Sequence, residues 1–118
     1  MKILNIINLV LPLVLIGSLS EAQVGNIEAG KSKAVSCFAC HGNNGNSTNP
    51  MYPVLAGQKA DVLVKKMKSY KDGKMKTPNA PMMKPMMEPL SEQDLKDLAA
   101  FFESIKPAAA GEKRKRRN

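Results

Sequence analysis

The residues richest in chemistry are Cys37-Phe38-Ala39-Cys40-His41. Two thiols with two residues between them, and an imidazole directly after the second, have the spacing of a c-type haem attachment site. Each thiol can add across one vinyl group of a porphyrin, and the adjacent histidine is then carried under the iron to supply a ring nitrogen. This stretch holds both cysteines and the one histidine of the 118-residue chain. A zinc half-site, a redox dithiol and a disulfide staple are the alternatives. Zinc usually takes four N/S ligands, and only three are on offer. A redox dithiol belongs after a strand in a βαβ pattern, which the chain lacks.

The elements that must position these groups are helical. Ile27 to Cys40 reads as a first helix, with Ile27, Lys31, Ala34, Val35 and Phe38 at spacings near three and four. Gly30 weakens it by about 1 kcal/mol relative to Ala but would permit close packing against another helix. Gly42 ends it, so the Cys/His motif falls at its C-terminal end. From Gly42 to Gly57 the density of Gly, Asn and Pro predicts a long loop, whose task would be to wrap the histidine side of the haem.

Ala60 to Lys71 reads as a second helix, with Leu63, Met67 and Tyr70 as its core face and Lys65, Lys66 and Lys68 elsewhere. Gly73 ends it. Pro78, Pro81, Pro85 and Pro89 then predict an irregular, non-helical segment from Lys74 to Pro89, rich in thioether from Met75, Met82, Met83, Met86 and Met87. Ser91 opens the last helix with a capping box in which Asp94 replaces the usual Glu. Leu95, Leu98, Ala99, Phe101, Phe102 and Ile105 give that helix a broad apolar face, and Pro107 stops it. There is no credible strand and no internal repeat, so the fold class is all-α.

The ends of the chain carry different signals. Residues 1–22 read as a secretory signal peptide: Lys2, an uncharged apolar run to Ile16, and a small-x-small site at Ser20-Glu21-Ala22. A retained anchor is the rival, but the run is short for the ~20 residues of a span and is broken by Pro12. Residues 23–106 form the single domain, and 107–118 a basic, disordered tail ending in Lys-Arg-Lys-Arg-Arg-Asn. Export places the protein in the periplasm and removes nucleic acid as a partner for its net charge of +8. With no Trp, three Phe and two Tyr, so small a domain has a marginal core of its own, which a bound haem plate would complete.

If His41 takes one axial position of the iron, no second histidine exists for the other. A Met sulfur, a Lys amine or an open site remain. A Met thioether favours ferrous iron and raises the reduction potential. The Met-rich segment 82–87 has a rival use as a Cu(I) site, through soft thioethers.

At this point the chain resembles a class I cytochrome c, of the small bacterial monohaem c-553 type and of single domains of the dihaem c-four type. The resemblance rests on an ordered series: Ala29-Gly-Lys31, Cys37 to Gly42, Gly45-Asn-Ser47, Pro53-Val-Leu-Ala-Gly-Gln58, Tyr70-Lys-Asp-Gly73, Pro81 to Met86, and Leu90-Ser-Glu-Gln-Asp-Leu95 with Leu98-Ala-Ala-Phe-Phe102. It implies a small fold of three to five helices with long loops around one covalently bound haem. Cys37 and Cys40 would hold that haem by thioethers, with His41 as the proximal ligand and the Pro53 carbonyl as its hydrogen-bond partner. Counting back from Leu90 gives Met83 as the distal ligand, with Met82 and Met86 as alternatives. Gln58 and Tyr70 resemble residues near the haem edge.

A His/Met iron is closed to substrate, which implies a one-electron carrier rather than an enzyme, with no small-molecule substrate. Its partners would be periplasmic or membrane redox proteins with acidic docking surfaces, and the basic tail could meet an anionic membrane. The competing readings are the haem subunit of a periplasmic enzyme such as a flavocytochrome, and an open-site haem enzyme or sensor.

Overall fold

The computed structural model describes residues 24–108; the expected signal peptide and the basic run at the end of the tail lie outside them. Within this range the chain is helical and contains no strand. Five α-helices occur in order: α1 (Ile27–Ala34), α2 (Phe38–His41), α3 (Ala60–Lys71), α4 (Ala80–Met87) and α5 (Glu92–Ser104).

The expected first helix is present as α1 and α2 joined by a 3-10 turn at Val35–Cys37. The path stays right-handed throughout, but the tighter turn rotates α2 relative to the face of α1. Cys37 and Phe38 are thereby packed against the core, while Cys40 remains exposed. Asn26 caps α1, its side chain accepting the Ala29 N–H.

α5 is the central element. Ser91 and Asp94 form the expected capping box, each side chain accepting the other's backbone N–H. The helix buries Leu95, Leu98, Ala99, Phe101 and Phe102, and packs on both α1 and α3. Ala34 and Leu63 complete this core from the two partner helices. All three Phe contribute: Phe101 lies 6.3 Å from Phe38 and 5.2 Å from Phe102, ring centre to ring centre, both pairs tilted.

α1 crosses α5 at very short range. A Cβ on Gly30 would lie 2.0 Å from the Asp97 carbonyl oxygen, so only glycine fits. The side chain of the same Asp97, 4 % exposed, joins the two helices again. It accepts the Asn26 N–H at 2.8 Å, Lys33 Nζ at 2.8 Å and Gln93 Nε2 at 2.8 Å. Burial pushes this carboxyl up, but the three donors outweigh burial and hold it at about 2.

The segment 74–89 corrects the sequence expectation: its second half is a helix. Proline spacing explains why four prolines do not prevent it. Pro81 occupies the first turn of α4, where a missing N–H costs no intrahelical bond. Pro85 falls one turn later and removes a single bond, to the Pro81 carbonyl, in a helix of only eight residues. The Asn79 carbonyl accepts from both Met82 and Met83, and Met87 is buried. α4 packs on α3.

The α1–α5 crossing can be probed from either helix. Gly30→Ala gains about 1 kcal/mol of helix propensity but drives a methyl into backbone that cannot step aside, an overpacking cost of about 3 kcal/mol or more, so chemical denaturation is expected to show a net loss of at least about 2 kcal/mol. Asp97→Asn at pH 7 should cost roughly 1–3 kcal/mol by disrupting the buried hydrogen bonds. Because the folded pKa of Asp97 lies below its ordinary 3.8, its stabilisation is complete above that value and lost as pH falls toward 2. The wild type should therefore lose more stability than Asp97→Asn between pH 4 and pH 2.

Candidate functional site

The helical path ends at Gly42 and the chain enters the loop that runs to α3. Its first anchor is Gly45, in a 3-10 turn at Asn43–Gly45 with φ of 74°, where L side chains are strained. A Cβ there would also meet the Phe102 ring at 2.8 Å. The Gly45 carbonyl accepts the N–H groups of Leu55, at 2.9 Å, and Ala56, at 3.2 Å, closing the loop on itself. The Gly57 N–H donates to the Phe102 carbonyl at 2.8 Å. The excursion between Gly45 and Leu55 is thus pinned to α5 at its base.

That excursion carries Pro53 to His41. Nδ1 of His41 is 2.9 Å from the Pro53 carbonyl oxygen, and the histidine is buried. A carbonyl can only accept, so Nδ1 carries a proton, and the neutral tautomer compatible with this contact has its lone pair on Nε2. Among the described residues Nε2 has no hydrogen-bond partner, yet no buried side-chain nitrogen or oxygen is left unsatisfied. Nε2 therefore opens onto accessible space. Tyr52, which no sequence motif singles out, stands edge-on to the imidazole with ring centres 6.2 Å apart.

The two cysteines are not joined by a disulfide. Cys37 is half-buried, and burial pushes its thiol up, partly offset by a hydrogen bond with Ser36. On α4, Met83 is half-buried and shares a helix face with buried Met87 one turn on. Met82 and Met86, also one turn apart, are 57 % and 43 % exposed. The loop and α4 meet where Asn79 Nδ2 donates to the Met51 carbonyl at 3.2 Å. Gln58 and Tyr70 make local hydrogen bonds. The Gln58 amide donates to the Val54 carbonyl and accepts from Lys66 at 3.2 Å, and the Tyr70 hydroxyl lies 3.3 Å from Thr77 Oγ1.

Comparison with known proteins decides what this arrangement belongs to. The family model for cytochrome c matches residues 27–106. The chain is a member of the cytochrome c family. It is 44 % identical over 80 residues to cytochrome c-554(548) of Halomonas halodenitrificans, covering 68 % of this chain and 96 % of that one. It is 46 % identical over 90 residues to cytochrome c4 of Stutzerimonas stutzeri, covering 70 % of this chain but 42 % of the relative. The crystal structure of reduced recombinant cytochrome c4 from Pseudomonas stutzeri superposes with a TM-score of 0.63 at 44 % identity, over 72 % of this chain and 48 % of that one. The chain thus spans nearly the whole of its c-554(548) relative and just under half of the c4 proteins, and is related to one c4 domain.

A class I cytochrome c carries covalently bound haem c with its iron, and the residues present fit that group. Two unpaired thiols stand one helical turn apart, and the histidine that follows them has Nε2 free of any hydrogen bond among the described residues. The protein's own core is also small: among the described residues its larger buried side chains are Leu63, Met87, Leu95, Leu98, Phe101 and Phe102. Cys37 and Cys40 would hold the group, and His41 would meet the iron. After denaturation in acidified organic solvent, haem should stay with the wild-type chain and be released entirely from a Cys37→Ala, Cys40→Ala double variant. Each single variant should retain it through one thioether, with the absorption shift of one unreacted vinyl group.

Proposed function

We propose that this cytochrome c is exported and carries single electrons between periplasmic or membrane redox partners. In this reading Cys37 and Cys40 form the thioethers, and His41 and Met83 fill the two axial positions. The observation that carries it is the His41–Pro53 contact. It fixes the ring of a buried histidine, sets its tautomer, and leaves Nε2 as the lone-pair nitrogen. A hydrogen-bond acceptor on the far nitrogen also raises the basicity of the ligand.

In this reading α4 supplies the opposite side. Met83 is the less exposed of the Met83/Met82/Met86 set, and it lies on the face anchored by Met87. The bound haem iron supplies a one-electron couple, tuned by its axial ligands and by burial. With both axial positions filled by protein, the chain leaves no position for a substrate, which favours a carrier over an enzyme. The net charge of +8 favours acidic surfaces on the partner proteins and would speed encounter at low ionic strength. The amino-terminal pattern of residues 1–22 supports export, and hence a periplasmic address.

Ligation is tested by the weak red charge-transfer band of ferric haem with a bound Met sulfur. The wild type should show it. Met83→Ala should abolish it and lower the reduction potential, while Met82→Ala and Met86→Ala should retain both. A wild type without the band would overturn the His/Met assignment, and loss of the band in Met82→Ala alone would move the ligand by one residue.

A further inference from the structure

A second concave feature involves none of these residues. One side of α3, the turn after it and Lys96 of α5 border a shallow, open groove of about 490 Å³. Val64 and the methylene stems of Lys65, Lys68, Lys74 and Lys96 line it, giving an apolar floor ringed by ammonium heads. Asp61 and Asp72 line it as well. Lys68 is paired with Glu92 at 2.7 Å, and Lys74 with Asp72 at 3.7 Å. Among the described residues, Lys65 and Lys96 have no carboxylate within ion-pair distance.

We infer that this groove docks an acidic, extended segment of a partner protein. Charge complementarity selects that occupant. The chain's own C-terminal run, Lys113-Arg-Lys-Arg-Arg117, has the same sign as the groove and is repelled from it. A second copy brings a net charge of +8 and is disfavoured on the same ground. A lipid surface is uniformly anionic, whereas Asp61 and Asp72 interrupt the lysines of the groove and suit a chain whose carboxylates are spaced by neutral residues. Aliphatic stems flanked by free ammonium groups suit a chain in which carboxylates alternate with small or apolar residues.

None of Cys37, Cys40, His41, Pro53 and Met83 lines the groove, so the docking residues and the haem-binding residues are separate sets. Capture of the partner and passage of the electron would then use different residues. This deepens the carrier reading and rests on it for the partner being a redox protein.

The test uses the haem-loaded protein and a dye-labelled twelve-residue peptide of alternating glutamate and alanine, monitored by fluorescence anisotropy at low ionic strength. Saturable binding is expected, weakened about tenfold in the Lys65→Gln, Lys96→Gln double variant and suppressed by salt. A control double variant, Lys31→Gln with Lys106→Gln, removes the same charge outside the groove and should weaken binding less than twofold. Equal weakening in the two variants would reduce the effect to net charge and overturn the site. So would failure of the peptide to bind, including the case in which phosphatidylglycerol vesicles bind instead. The visible spectrum of every variant should match the wild type, so loss of docking is distinguishable from failure of the carrier reading.

Discussion

The backbone of Gly30 and the carbonyl of Asp97 approach so closely that no side chain fits between them, and this crossing fixes the rest of the molecule. The Asp97 carboxylate reinforces it by holding the Asn26 N–H and the Lys33 ammonium, so α1 is joined to α5 by backbone and by side chain. α1 leads directly through the 3-10 turn to Cys37, Cys40 and His41. The far side of the site hangs from the same helix, because Phe102 supports Gly45 with its ring and Gly57 with its carbonyl. Histidine and Pro53 therefore meet because both are referenced to α5. A shift of α1 along α5 by even one residue would separate Nδ1 from its acceptor.

The sequence exposes the helices where periodicity and punctuation agree. α3 and α5 have apolar positions at helical spacing, a breaking Gly or Pro after them and, for α5, a capping box. Their limits are set by local chemistry. α4 is hidden because proline by type argues against a helix, whereas its place decides the outcome. Pro81 at a first turn is harmless, and Pro85 costs one bond that α4 can lose. Asp97 is not legible either. An acidic residue on an amphipathic helix reads as solvent-facing, and only the arrival of Asn26 and Lys33 from far along the chain makes it a buried acceptor.

The site divides in the same way. Cys37, Cys40 and His41 announce themselves by spacing, since their chemistry is local to one helical turn. Pro53 has no such signature. It is twelve residues from His41, and its carbonyl is a backbone group that any residue would carry, so family resemblance points to it where pattern does not. Tyr52 lies beside the imidazole through the fold of the loop alone. The choice among the methionines needs the helix itself, on which Met87 is buried and Met83 half-buried while Met82 and Met86 are exposed. In an irregular segment these would be equivalent.

Whether both axial positions of the iron are held by the protein is the question on which a carrier and an open-site enzyme part. It is answered most directly by exposing the dithionite-reduced, haem-loaded protein to carbon monoxide at neutral pH and recording its visible spectrum. With His41 and a methionine sulfur both bound, the ferrous spectrum should not change. Ready formation of a carbonyl complex would contradict a closed iron, and with it the assignment of this cytochrome c as a simple carrier of electrons.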